Sequence, residues 1–182
     1  MSEQPPPRRR PNPSALDLVW ALAPLVVLIL VVGWLSTPSD PDPVREIDPA
    51  GDLTYAATLA DFDVLAAAEL AQDWRATSAR VDPAVDGGPV VVRVGYVTPE
   101  GEFAEVAQGS VPAETLLTEV LGEGYTEADR VDVEGVPWRL AKAANGEQAF
   151  VRNDEASTVV VTGSADDDEL RALIAALRPV SG

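Results

Sequence analysis

The longest apolar stretch of the chain lies near its N-terminus. From Leu18 to Leu35, "LVWALAPLVVLILVVGWL", no residue carries a charge. As a helix those 18 residues would reach about 27 Å, close to the ~30 Å hydrocarbon core of a bilayer. No amphipathic stripe runs through them, which argues against a helix lying on a soluble core. Trp20 and Trp34 stand near the two ends, as interfacial aromatics do. Pro24 is tolerated in a membrane helix. The hydrophobic region of a cleaved signal peptide is shorter, about 7–15 residues. The cleavage positions on offer are also poor, with Trp34 or Pro38 in the way. The pattern predicts an uncleaved transmembrane helix over residues 16–35. Arg8, Arg9 and Arg10 precede it and no basic cluster follows. The N-terminus is therefore expected in the cytoplasm and the rest of the chain outside.

Residues 1–15 read as a short disordered cytoplasmic tail. Residues 36–51, "STPSDPDPVREIDPAG", are dense in Pro and Asp. Proline stiffens a chain and like charges extend it, so this segment reads as a spacer. The hydrophobic pattern beyond it predicts one α+β domain over 52–182. "DLTYAATLADF" reads as a short helix with Asp52 as its N-cap and Leu53, Ala56, Ala57 and Ala60 on one face. "LAAAELAQDW" reads as helical by propensity.

The next segments alternate as strands do. "RATSARV" (Arg75–Val81) precedes the turn "DPAVDGGP", and "VVVRVGYV" (Val90–Val97) follows it. "TPEG" (Thr98–Gly101) is a tight turn, from which "EFAEVAQ" returns. "VPAETLLTEVLG" is a helix with Pro112 in its first turn and Gly122 as its stop. Hairpins are expected at Glu134-Gly135, at Asn145-Gly146 and around Asn153–Ala156. In the last segment Leu170, Leu173, Ile174 and Leu177 form one apolar stripe, and Pro179 should end that helix. The sum is an antiparallel sheet of about six to seven strands with packed helices. "VVVRVGYV" and "STVVVTG" are apolar at nearly every position, which predicts central strands covered on both faces.

Composition narrows the chemistry. With no Cys, disulfides and thiolate sites are impossible, and with no His the commonest metal ligand and general base is missing. Acidic residues outnumber basic ones 30 to 13, for a net charge of -17. Nucleic acid and anionic headgroups should be repelled. Lys142 is the sole lysine, and a Ser–Lys pair with Ser157 or Ser164 has no motif around either serine. "ADDDEL" (Ala165–Leu170) lacks calcium-loop spacing and reads as a helix cap, Asp166–Glu169 meeting the positive end of the dipole. Trp74 and Trp138 read as core, Trp138 in period two with Val136 and Leu140. "TPEG" and "DGGP" match no phosphate loop. No catalytic, metal or cofactor-binding residue is assigned, and no cofactor is expected.

"DWRATSARV", "VVRVGYVTPEGEFAEV", "VDVEGVPWRL" and "VVVTGSADDDELRALIAAL" together resemble the actinobacterial domain-of-unknown-function family 4245. The turn at Gly95–Glu102 is the most specific piece. The family often has Pro and Gly just before the Trp, where this chain has Ala71-Gln72-Asp73. The resemblance implies a single-pass envelope protein and transfers no catalytic residue. The order of elements is also similar to the Mog1/PsbP-like α+β fold. The expected role is a non-catalytic membrane-tethered module that binds an envelope protein or a wall or lipid ligand. The alternatives are a hydrolase using a carboxylate pair, which needs neither His nor Cys, and a structural subunit of a membrane complex.

From this organisation the protein should stay with membranes through high-salt and alkaline washes, its first residue near Met1. Recovery of a soluble form beginning near Asp40 would overturn the anchor in favour of a cleaved signal peptide.

Overall fold

In a computed structural model of the protein, the described residues are 45–83 and 88–180, all within one compact unit, Val44–Gly182. The predicted anchor, the spacer up to residue 44 and the turn at 84–87 lie outside them. Among the described residues no helix is long and apolar enough to cross a membrane.

Thr158–Gly163, "TVVVTG", is buried at every position. Such a strand must sit inside a sheet whose two faces are both covered. It is the middle strand of seven. In chain order the strands are β1 (Leu65–Ala67), β2 (Arg75–Asp82), β3 (Val91–Val97), β4 (Phe103–Gly109), β5 (Thr126–Val133), β6 (Val136–Lys142), β7 (Gln148–Asn153), β8 (Thr158–Gly163) and β9 (Leu177–Pro179). The large sheet runs β2-β3-β4-β8-β7-β6-β5, antiparallel throughout, and β1 pairs with β9 in a separate two-stranded ribbon. The helices described are α1 (Ala50–Leu59), α2 (Ala113–Leu121) and α3 (Asp167–Ala176). The α+β antiparallel sheet follows the sequence pattern, and β3, one place in from the edge, is buried along most of its length.

Period-two alternation divides the core. One face carries Val92, Val94, Tyr96, Val106, Trp138, Phe150, Val159 and Val161, and Leu53 of α1 with Leu170, Leu173 and Ile174 of α3 packs on it. The other face carries Val91, Ala107, Ala141, Ala149, Val151 and Val160 beneath Leu116 and Leu117 of α2. The small residues of that second face admit a single helix. Trp138 is 1% exposed, and Trp74 meets Tyr96 edge-on at 6.3 Å. Burial pushes the Tyr96 hydroxyl up to about 12, opposed by a hydrogen bond with the Ala67 backbone.

Helix ends obey capping chemistry with two changes of position. Asp166 accepts from the Glu169 N–H at 2.8 Å, as "ADDDEL" predicts. Asp52 is not the cap of α1: it lies in the first turn, while Asp48 accepts from the Ala50 N–H at 3.0 Å. The helix starts earlier because Pro49, with φ already near the helical value, is suited to its opening. Pro112 flanks α2 and Gly122, at φ 78°, ends it. The apolar stripe of α3 is buried as expected, but the helix stops at Ala176. Leu177 turns extended and pairs with Ala67.

The second correction has the same cause. "LAAAELAQDW" is not a helix: Leu65–Ala67 is strand β1, Glu69 takes a positive φ of 58°, and the Trp74 N–H closes a turn on the Ala71 carbonyl at 3.0 Å. Ladder bonds to a distant segment outweigh a helix propensity worth tenths of a kcal/mol per residue. Ala71-Gln72-Asp73 thus makes a turn.

The predicted hairpins form. Glu134 and Gly135 both have positive φ, a two-residue loop of the primed type. At Asn145-Gly146 the loop is longer: the Gly146 N–H reaches the Ala143 carbonyl and the Ala143 N–H reaches Glu147. Thr98–Gly101 repeats that geometry, with the Gly101 N–H on Thr98 and the Thr98 N–H on Glu102.

Gly163 is held where no side chain fits. Its φ is 152°, and a Cβ would run into the Phe103 carbonyl and come within 2.8 Å of the Ala104 Cα. Gly163→Ala should cost about 3 kcal/mol or more, read by denaturant unfolding. Gly101→Ala, at φ 86° with open space around it, should cost only about 1 kcal/mol. Equal losses would show that the close approach at Gly163 does not constrain the sheet.

Candidate functional site

A concavity of about 730 Å³ opens between the segment after α1 and the β7–β8 turn. Ala57, Ala60, Phe62, Leu65 and Pro179 give it an apolar floor, and Asp61, Asp63, Asp154 and Glu155 give it an acidic rim. Its two walls are joined from below by one buried side chain. Gln108 on β4 points to the same face as Ala104 and Val106, where an apolar residue would be expected. Its Nε2 donates to the Asp63 carbonyl at 2.9 Å and to Ser157 Oγ at 3.0 Å. Its Oε1 accepts from the Leu65 N–H at 2.9 Å. Both amide hydrogens and the carbonyl oxygen are used, so a polar group 3% exposed is fully paired.

A second, smaller concavity of about 390 Å³ lies on the other side of Arg152. Pairing of β6 with β7 ends at Arg139↔Val151. Pro137, with no N–H to offer, stands just beyond. The notch left there is lined by Arg130, Arg139 and Arg152 together with Trp138, Asn153 and Asp154. Arg152 lines both concavities and is fixed on two sides. Its guanidinium lies 5.0 Å from the Trp138 ring centroid, and it donates to Asp154 through Nε at 3.0 Å and Nη2 at 2.8 Å. Arg139 donates to Glu127 at 3.0 Å and to Asn153 Oδ1 at 3.2 Å.

The residues singled out in the sequence are not brought together. Lys142 is exposed, and no hydrogen bond among the described residues joins it to Ser157 or Ser164. Ser157 holds Gln108, and Ser164 donates to Glu102 at 2.6 Å while accepting from the Phe103 N–H. Glu105, whose carboxyl is raised by burial and lowered by Arg93, lies on the opposite sheet face, remote from the cleft. Among the described residues no group of three or more His, Cys, Asp or Glu is placed to hold a metal. The cleft carries no local motif because it is assembled from segments about 90 residues apart. Its signal was Gln108, a polar residue breaking an apolar alternation.

The fold and its concavities define an α+β domain built on an antiparallel sheet, with a cleft at one end. The chain belongs to the DUF4245 family, whose description is "Protein of unknown function": the family model matches residues 10–177. A search of the curated proteins found no match.

Gln108→Leu leaves the Leu65 N–H without its acceptor and should cost about 1–3 kcal/mol. Amide exchange should quicken at residues 61–65 and 154–157 and stay unchanged in β5 and β6. Uniform quickening would mean that Gln108 supports the whole sheet and not the cleft.

Proposed function

We propose that the protein is a non-catalytic binding module of the cell envelope, tethered by one N-terminal membrane span, and that its ligand enters the acidic cleft. The cleft itself carries the reading. It is preformed, its walls are pinned by Gln108, and it sets an apolar floor beneath Asp61, Asp63, Asp154 and Glu155. That combination suits a partner segment carrying Lys or Arg beside an apolar side chain. The apolar run Leu18–Leu35 and the Pro/Asp-rich spacer support the tether. A tether raises the effective concentration against a neighbour in the same membrane, so weak contacts suffice.

A second reading rests on the same rim. Four carboxylates around one cleft are the raw material of a glycoside hydrolase, whose mechanism uses two.

A photo-crosslinking residue at Ala156, in the full chain in its membrane, should capture a discrete partner. The same residue at Thr115, on the exposed face of α2, should not. Capture at Ala156 should fall at least several-fold in Asp61→Asn/Asp63→Asn and at high salt. Equal capture at both positions would sink the cleft reading. Turnover of a glycan by the purified protein, lost on changing one rim carboxylate with folding intact, would establish the hydrolase instead.

A further inference from the structure

The acidic cleft is one half of a longer feature. Ala57 of α1, with Ala60 and Asp61 just past the end of the helix, lines that cleft. Ala50, Leu53 and Thr54 precede them at three- and four-residue spacing, on the same side of α1, and line a different concavity of about 390 Å³. The β1–β9 ribbon is the opposite wall of both. Leu65 stands in the cleft, Ala66–Ala68 in the second hollow, and Pro179 in the two together. The hollows therefore lie end to end in one furrow between a helix face and a ribbon. From Leu53 to Ala60 the furrow runs about 10 Å, the reach of about three residues of extended chain.

Its two ends differ in chemistry. Four carboxylates, those of Asp61, Asp63, Asp154 and Glu155, rim the cleft. The far hollow is apolar, its surface made by Pro49, Leu53, Val180 and the ribbon alanines. Two charged residues border it, and both are turned to the backbone. Asp48 accepts from the Ala50 N–H at 3.0 Å, and Arg178 donates through Nη1 to the Ala175 and Leu177 carbonyls, each at 2.7 Å. Both walls are held in place from beneath. Leu53 and Ala56 fix α1 in the larger core, Gln108 holds the Leu65 N–H, and Tyr96 is hydrogen-bonded to the Ala67 backbone.

We propose that this furrow binds one extended peptide segment at two points, a Lys or Arg in the acidic cleft and an apolar side chain of about leucine size in the hollow beside Ala66–Ala68. The inference rests on the cleft taking a basic residue and adds the second point and the spacing. Charge sets the direction of fit, since the carboxylates gather at one end only. Thr54, Ala68 and Pro179 are exposed, so the furrow is open along its length. An open furrow suits a polypeptide, whose backbone stays in water while alternate side chains point inward. It gives a long hydrocarbon tail too little cover.

The test uses the full chain in nanodiscs of zwitterionic lipid and fluorescent peptides with Lys-Lys at one end, Leu at the other and a Gly/Ser spacer of one to eight residues between. By anisotropy, affinity should peak at a spacer of about three residues. Replacing the Leu by Gly should weaken that peptide about five-fold or more. Ala68→Gln puts a polar side chain into the apolar hollow from an exposed position. It should leave the melting temperature unchanged and make the Leu and Gly peptides bind alike. Asp61→Asn/Asp63→Asn should weaken every lysine peptide, with or without Leu. Affinity that follows lysine but ignores leucine and spacing would overturn the two-point furrow and leave the cleft reading standing. Affinity indifferent to lysine and to Asp61 and Asp63 would sink both. No saturable binding by any peptide would also overturn the furrow, with the cleft then decided by capture at Ala156. Octylamine that displaces the best peptide and binds more tightly, with empty nanodiscs as control, would give the furrow to a cationic amphiphile instead.

Discussion

Burial of the sheet's centre on both faces is the constraint from which the rest of the architecture follows. β8 hides all six of its residues, β4 hides five of seven, and β7 hides its middle three. A strand buried on both sides needs a cover on each. The face with Val, Phe and Trp side chains takes two helices and the β1–β9 ribbon. The face with alanines takes one helix, close in. At the edges the demand relaxes: β2 is mostly half-buried and β5 mostly exposed, and both are charged and bulged. Such edges resist pairing with a second sheet. Ile47 adds to this by donating its N–H to the Ala76 carbonyl on β2.

The same constraint explains why the polar residues of the interior are so few and so fully employed. Gln108 enters the larger core only because three partners await it. The result is local rigidity at the end of the sheet where both concavities open. Arg152 stands between them, its charge shared by a ring on one side and a carboxylate on the other. The two hollows therefore differ in sign across the thickness of one side chain.

Much of the fold was legible because its signals are local. Alternation marks β3, β4 and β8, glycine and asparagine mark the hairpins, and the stripe of α3 marks its buried face. β1 and β9 were not legible. Each is three residues long, and neither has a reason to be extended except the other, 110 residues away. Helix propensity was the sole local signal there, and it was too weak to hold. The end of the molecule that carries the two concavities was illegible for a similar reason. Asp61 and Asp154 are ordinary polar residues in sequence, and only the fold brings both to the rim of one cleft. Trp138 was read as core, which it is. Its buried N–H, unpaired among the described residues, belongs to the fold and leaves no trace in the sequence.

The β1–β9 ribbon also sets the order in which the protein can be made. β9 and the buried leucines of α3 come after every other described element in the chain. The larger core stays open until its final segment emerges. Any apparatus that threads this polypeptide as it is synthesised thus handles an unfinished substrate, with Leu53, Phe150 and Trp138 uncovered. The larger core is complete only with the last helix docked.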